Sequence, residues 1–348
     1  MVICVPSPID ANHTPDLRFL ERAAQTVAQY LRKDQLIILE STVAPGYSEE
    51  HFIPLLERSG LKVGEDFGFA YCPERIDVQN ARWNVTTIPR VIAASDPVSL
   101  ERALHFYTHI VRTPLHVMQS IKEVELVKMY ENTFRDVNIA LANEVAVLAK
   151  SLGVDFTEVV AGAATKPFGF LPHNPGCGVG GDCIATDPYY LLHTATERGL
   201  DLPLIRAARQ RNEAMPMYMV GLLDELREEL RLSVVEAHVL LLGVAYKPKV
   251  SDTRRSPALE VIQILKKRGI QVSTFDPFVP EYSDVSSLEE GLHRANIVAI
   301  CTAHQVFLDQ LEPSLLAESG IRGVIDGRNC LDKADYVQSG IGYRGIGR

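Results

Sequence analysis

The stretch His238–Phe278, "HVLLLGVAYKPKVSDTRRSPALEVIQILKKRGIQVSTFDPF", decides the fold class. Its "VLLL" is an unbroken apolar run, which suits a strand covered on both faces rather than one half in water. A polar loop follows, then "ALEVIQILKK" with apolar residues at helix spacing, then a second strand in "QVSTF". Strand, loop, helix, strand is the unit of a parallel sheet. Two further apolar runs, "ANIVAIC" from Ala295 and "GVID" from Gly323, extend it, so residues 233–348 read as an α/β domain.

The same alternation occupies residues 1–118. "MVICVPSP" is a strand entering a proline-rich turn, Leu17–Arg32 a helix, and "QLIILESTV" a buried strand. A helix near Ser48–Ser59 and a strand near Phe67–Tyr71 follow, then "RVIAAS", another helix and "PLHVM". Residues 119–232 are different: one long helix from Ile121 to about Leu152, ending with Gly153 at the C′ position. Lys166–Pro188 is a Gly- and Pro-rich segment too long for a plain connector. A second long helix is predicted from Pro203 past Arg231, kinked or divided at Pro216. The fold class is therefore α/β, with two Rossmann-like doubly wound domains joined by a central helical domain.

Composition narrows the function. The 348 residues are 46% hydrophobic and 23% charged, as in an ordinary globular protein. A formal net charge of −9 argues against a nucleic-acid partner. No apolar run approaches the roughly 20 residues that span a bilayer, and no leader pattern is visible, so a cytoplasmic enzyme is expected. Six cysteines in this length do not make a disulfide scaffold.

In "NPGCGVGGDCIATDP" (Asn174–Pro188) the two cysteines do not have zinc-site spacing, and no metal is expected. The glycines permit close approach of main chain to a ligand. Cys183 just after them reads either as a nucleophile among backbone N–H groups or as a small buried hydrophobe. Cys177, Cys4 and Cys301 are assigned to packing, the last two inside strands. Lys128 and Asn132 are four apart and share a helix face, either as a surface pair or as a partly buried lysine with its partner. Glu74 in "YCPERI" and Thr42 in "ESTVAPG" follow strands, where groups of open α/β sheets meet ligands. Lys247, Lys249, Arg254 and Arg255 gather before a helix that starts near Ser256, a natural anion site. Missing after the first strand is the G-x-G-x-x-G turn of a dinucleotide-binding domain.

"CVPSP", "ESTVAPG", "YCPERI", "IPRVI", "KMYENTFRDVNIALANE", "NPGCGVGGDCIATDPYY", "LGVAYKPKVSDTRRSPALE", "FDPF" and "IDGRN", in this order, resemble the UDP-glucose/GDP-mannose dehydrogenase family of nucleotide-sugar 6-dehydrogenases. The resemblance covers nearly the whole chain. It implies NAD as cofactor and oxidation of a UDP-sugar C6 hydroxyl to the carboxylate, in service of surface polysaccharide synthesis. It implies that Cys183 captures the aldehyde as a thiohemiacetal that becomes a thioester. Lys128 and Asn132 would hold the substrate oxygen or water, Glu74 would assist hydrolysis, Asp187 would partner the lysine and water, and Thr42 would lie near the nicotinamide. Pro6, Thr42, Glu74 and Arg254 are the implied cofactor contacts. Arg75, Lys128, Asn132, Phe168, Gly180, Lys247 and Arg254 are the implied substrate contacts.

The resemblance also implies that the family's first βαβ segment is absent, leaving the first domain truncated. Asp182 stands beside Cys183 and is expected to raise its thiol pKa if it points the same way. "CIATDPYY" is most similar to the branch acting on UDP-N-acetylhexosamines, which points to UDP-N-acetyl-D-mannosamine, then UDP-N-acetylglucosamine, then UDP-glucose. A homodimer through the central helix is expected. The competing reading is a catalytically impaired nucleotide-sugar-binding or dimerisation protein; a hydroxyacid dehydrogenase leaves Cys183 unexplained.

Overall fold

The apolar runs become strands of two sheets in a computed structural model that describes residues 1–77, 80 and 82–348. The described residues form two units, Met1–Phe134 with Thr186–Leu202, and Arg135–Ala185 with Pro203–Arg348.

In the first unit the sheet runs β1 (Val2–Ile3), β2 (Leu36–Leu39), β3 (Gly68–Tyr71), β4 (Val91–Ala94), β5 (His116–Val117), in sequence order. Alternation sorts the side chains of β2 to opposite faces. Ile37 and Leu39 pack with Leu20, Ala24 and Val27 of helix α1 (Arg18–Tyr30) and with Leu56 of the short helix α2 (Ile53–Leu56). Ile38 packs with Ala103 and Tyr107 of α3 (Pro97–Thr108) on the other face. Helices on both faces explain why "LIIL" carries no polar residue. The helical stretch before α2 is a π-helix, Ser48–Phe52.

One pairing differs from the parallel sheet expected. β3 and β4 are antiparallel, Ala70 facing Ala94 and Tyr71 facing Ala93. No helix lies among the described residues between Tyr71 and Val91, and without a crossover the chain returns along its neighbour in the opposite sense. β4 therefore begins beside the carboxyl ends of β2 and β3.

Helix α4 (Ile121–Ser151) supplies its first turns to the first unit and the rest to the second. It ends as expected. Gly153 has φ +69°, its amide bonds the Lys150 carbonyl, and the Val154 amide reaches back to Ala149, the paired bonds of a Schellman cap. In the second unit α5 (Phe156–Ala164) follows. The helix α6 (Asp187–Glu197), which belongs to the first unit, starts two residues earlier than Tyr189. α7 (Pro203–Glu229) is not divided at Pro216, which lies inside it and is buried, as are Met215, Met219 and Val220. Burial of that apolar stretch offsets the one helix bond the proline lacks.

The second sheet is parallel throughout, in the order β10 (Gly342–Gly345), β9 (Gly323–Asp326), β8 (Ile297–Ile300), β6 (His238–Leu242), β7 (Gln271–Phe275). β10 was not anticipated from the sequence; it is a four-residue edge strand rich in glycine. Val239 and Leu241 face α7 and α8 (Pro257–Lys267), while Leu240 and Leu242 face the opposite layer. The order reverses between β6 and β8, so the loops after these two strands diverge and leave a crevice at their carboxyl ends.

Candidate active site

Each unit gathers part of the predicted set. In the first, β1, β2 and β3 run parallel, so Pro6, Thr42 and Glu74, each a few residues past a strand, share one edge of the sheet. Pro6 is exposed; Thr42 and Glu74 are half-buried. The Ser41 hydroxyl accepts from the Val5 amide at 2.7 Å and donates to the Val5 carbonyl at 2.9 Å, tying the ends of β1 and β2 together.

Lys128 and Asn132 are both buried, which removes the surface-pair reading. Lys128 Nζ donates to the Glu74 carbonyl at 2.6 Å, and Asn132 Nδ2 donates to Asp187 Oδ2 at 2.6 Å. Asp187 is itself buried at the start of α6. Burial pushes the Glu74 carboxyl above its ordinary value, against the pull of Lys128 and Arg90. Its Oε1 accepts the Ile76 amide. Arg75 pairs with Glu131 and donates to the Pro89 carbonyl at 2.9 Å.

A cluster the sequence reading missed lies at the same edge. Arg90 Nη1 donates to Glu40 Oε1 at 2.8 Å, the Tyr107 hydroxyl donates to the same oxygen at 2.5 Å, and the Arg90 guanidinium lies 5.2 Å from the Tyr107 ring centre. Cys4 belongs here, and the packing assignment inside a strand does not hold for it. It is exposed just past β1, with Sγ 3.5 Å from Glu40 Oε2. Partial burial and the Glu40 charge push its thiol up to about 11, so it is not an activated nucleophile.

In the second unit the glycine-rich segment is a clamped loop. A side chain begun at Gly180 would lie 2.8 Å from the Arg255 carbonyl and from Tyr246 Cβ, so only glycine lets the main chain pass there. The Gly176 amide donates to Asn143 Oδ1 at 2.9 Å, and Asn143 Nδ2 donates to Asn212 Oδ1 at 2.9 Å. Asn212 Nδ2 and Arg209 Nη1 both donate to Asp136 Oδ1, at 2.8 and 2.6 Å. These four residues anchor the loop. Their signal was present, since Asp136 and Asn143 lie seven apart on one helix face, but it identifies no partner.

Cys183 is exposed, whereas Cys177 and Cys301 are buried; Cys301 lies one residue past β8 rather than inside it. The Asp182 carboxylate is engaged by Arg254, which also binds Asp252 at 2.6 Å. Lys247 is half-buried in the loop after β6, and Phe168 is 70% exposed with Lys166 Nζ 5.0 Å from its ring centre. Two residues of the crevice were also missed. Buried Asp276 Oδ2 accepts the Val244 and Ala245 amides at 2.7 and 2.9 Å and lies 3.1 Å from His304 Nε2; the Lys249 amide donates to His304 Nδ1 at 3.2 Å. Among the described residues no cluster of His, Cys, Asp or Glu is arranged to hold a metal, and no helix is long and apolar enough to cross a membrane.

Comparison with known proteins covers both units. Three models of the UDP-glucose/GDP-mannose dehydrogenase family match: its NAD binding domain at residues 1–111, its central domain at 122–214 and its UDP binding domain at 240–333. UDP-N-acetyl-D-mannosamine dehydrogenase of Pyrococcus horikoshii is 39% identical over 347 residues, all of this chain and 80% of that one. Its solved structure superposes with a TM-score of 0.92. A UDP-N-acetyl-D-glucosamine 6-dehydrogenase of Salmonella typhi is 35% identical over 97% of this chain and 79% of its own. A UDP-glucose dehydrogenase structure from Pyrobaculum islandicum, 30% identical, gives a TM-score of 0.85 over 99% of this chain and 79% of that one.

Proposed function

The chain belongs to the UDP-glucose/GDP-mannose dehydrogenase family, whose members are NAD-dependent nucleotide-sugar dehydrogenases, and from that premise we propose that it oxidises UDP-N-acetyl-D-mannosamine at C6 to the uronate through Cys183. The observation that carries this reading is an exposed cysteine on a glycine loop clamped by buried polar anchors. A nucleophile must be reachable yet held still. The choice of sugar is supported by the 39% identity to the Pyrococcus horikoshii enzyme.

NAD, when bound, supplies the hydride acceptor for each of two oxidations. The edge beyond β1, β2 and β3 fits such a group: it gathers a hydroxyl at Thr42, a carboxylate at Glu74 and main chain at Pro6, the partners that ribose and carboxamide groups need. Lys128 and Asn132 hold the reacting oxygen, and the lysine charge stabilises the negative charge that develops there. The Cys183 thiolate adds to the aldehyde carbon and later leaves as water, oriented by Glu74 and Asp187, opens the thioester. A carboxyl raised by burial accepts a proton from water more readily than an ordinary one, which suits Glu74 to that step. Arg254 and Lys247, beside the crevice after β6, bind the diphosphate.

We also propose a homodimer. Leu141, Val145 and Leu148 of α4 are exposed, and the first two line an apolar groove of about 220 Å³ with Val159, Phe170 and Leu171. Light scattering that finds a monomer overturns it.

The test of function is NADH formation by the chain and by Cys183→Ser, with UDP-N-acetyl-D-mannosamine, UDP-N-acetylglucosamine and UDP-glucose in turn. Two NADH per sugar, lost in the variant, is the expected result. Turnover that persists in Cys183→Ser refutes the covalent route. UDP-sugar binding by calorimetry without any NADH favours the binding-protein reading instead.

A further inference from the structure

Helix α4 presents Glu125, Lys128 and Asn132 at successive spacings of three and four, so all three share one face. The proposed chemistry uses the last two and leaves Glu125 without a role. Its side chain is fully buried. Oε2 accepts the Gly46 amide at 2.6 Å, and Oε1 accepts the Ser48 amide at 2.9 Å. These amides open the helical stretch that continues into α2, where the helix itself offers N–H groups no partner and an anion is favoured. The residues between this point and β2 are "ESTVAP", the loop that carries Thr42. The loop is thus fixed at one end by β2 and at the other by a carboxylate from the helix that bears Lys128 and Asn132.

We propose that Glu125 is a positioning residue: its carboxylate fastens the Thr42–Ser48 loop to the helix carrying Lys128 and Asn132, and so sets where Thr42 stands in the reaction. The proposal rests on the functional reading above, because it is that reading which makes Thr42 matter.

The ionised carboxylate accepts both amides at full strength, whereas a protonated carboxyl offers one of them a weaker hydroxyl acceptor and an amide side chain turns an N–H donor toward it. Ionisation is opposed here. Burial first, and the charge of Glu49 on the π-helix, push the carboxyl up to about 7 against the hydrogen bonds from Ser48 and Gly46. Tyr71 of β3 faces the same carboxylate, and Lys122, one turn earlier on α4, is occupied by Glu49 and Glu50. Because the folded value is raised, the stability gained from the neutral form is complete below about 4.3 and is lost as pH rises through about 7. The form that anchors the loop is therefore the less stable one. A residue kept only for stability would show the opposite.

Glu125→Gln keeps the shape, removes the charge and separates the two roles. At about pH 8 its melting temperature should equal or exceed that of the unaltered chain. Its kcat should fall about tenfold or more, with the UDP-sugar KM little changed, as expected for one lost hydrogen bond to a charged group. Hydrogen exchange at the Gly46 and Ser48 amides should quicken by a similar factor, about tenfold. Unchanged exchange in the variant overturns the proposal, as does lost turnover accompanied by a lower melting temperature. If the variant does not fold, the unaltered chain decides: after correction for intrinsic rates, protection of these amides must be higher at about pH 8 than at about pH 6. If the unaltered chain makes no NADH from any UDP-sugar, the functional reading fails, while the exchange measurement still tests the anchor.

Discussion

Replacing Gly243 with alanine tests whether the crevice of the second sheet depends on close contact between the ends of β6 and β8. Gly243 follows β6 with φ +83°, and an added Cβ would lie 2.4 Å from Thr302 Cβ, 2.6 Å from the Thr302 carbonyl oxygen and 2.8 Å from its Cα. Two of these are main-chain atoms, so no rotamer change relieves the clash. Thr302 is itself held, with its amide directed at the Leu242 carbonyl at 3.3 Å and its hydroxyl on the Ala245 carbonyl at 2.5 Å. A left-handed alanine costs about 1–2 kcal/mol, and overpacking a tight site adds about 1–3 kcal/mol. The sum, about 2–5 kcal/mol, should appear in urea unfolding followed by circular dichroism. Fluorescence is the wrong probe, because the sole tryptophan, Trp83, belongs to the first unit. UDP affinity measured by calorimetry should fall with it, since spreading these loops displaces Lys247 and Arg254. A loss below about 0.5 kcal/mol, the range of an ordinary surface change, would refute the packing argument.

Lys128→Met keeps the side chain's length and removes its charge; kcat should drop by about 10²–10³ with UDP-sugar KM little altered, and a wild-type kcat would remove Lys128 from the chemistry. Asp276→Asn tests the crevice's electrostatics. Burial alone would raise the Asp276 carboxyl, but His304 and the Ala245 and Phe278 amides hold it below its ordinary value. Its stabilisation is therefore present above the unfolded carboxyl value of about 3.9 and lost as pH falls through the lower folded one. The melting temperature of the variant should fall less steeply in acid than that of the unaltered chain, and parallel curves would contradict the assignment.

Local pattern was enough for much of this protein. Unbroken apolar runs such as "LIIL" and "VLLL" specify strands covered on both faces, whatever they pair with. Helix periodicity found α4, and Gly153 marked its end, because a left-handed cap is a local demand. Four glycines and two cysteines within a few residues marked the loop of Cys183, because a backbone that must pass close to other chain has little other choice of residue. Pairing across long separations was not legible. Arg90 meets Glu40 only because β4 turns back antiparallel and begins where β2 ends. Arg209 and Asp136 are an ordinary cation and anion until two helices bring them together out of water. Glu125 looks like any glutamate on a charged helix turn; the Gly46 and Ser48 amides that give it a role lie 79 and 77 residues away. The sequence by itself determined which segments are helix or strand and which residue types carry the chemistry, since those depend on neighbours along the chain. The tertiary structure alone decided which buried charges meet, because desolvation and partnership are properties of the packed interior.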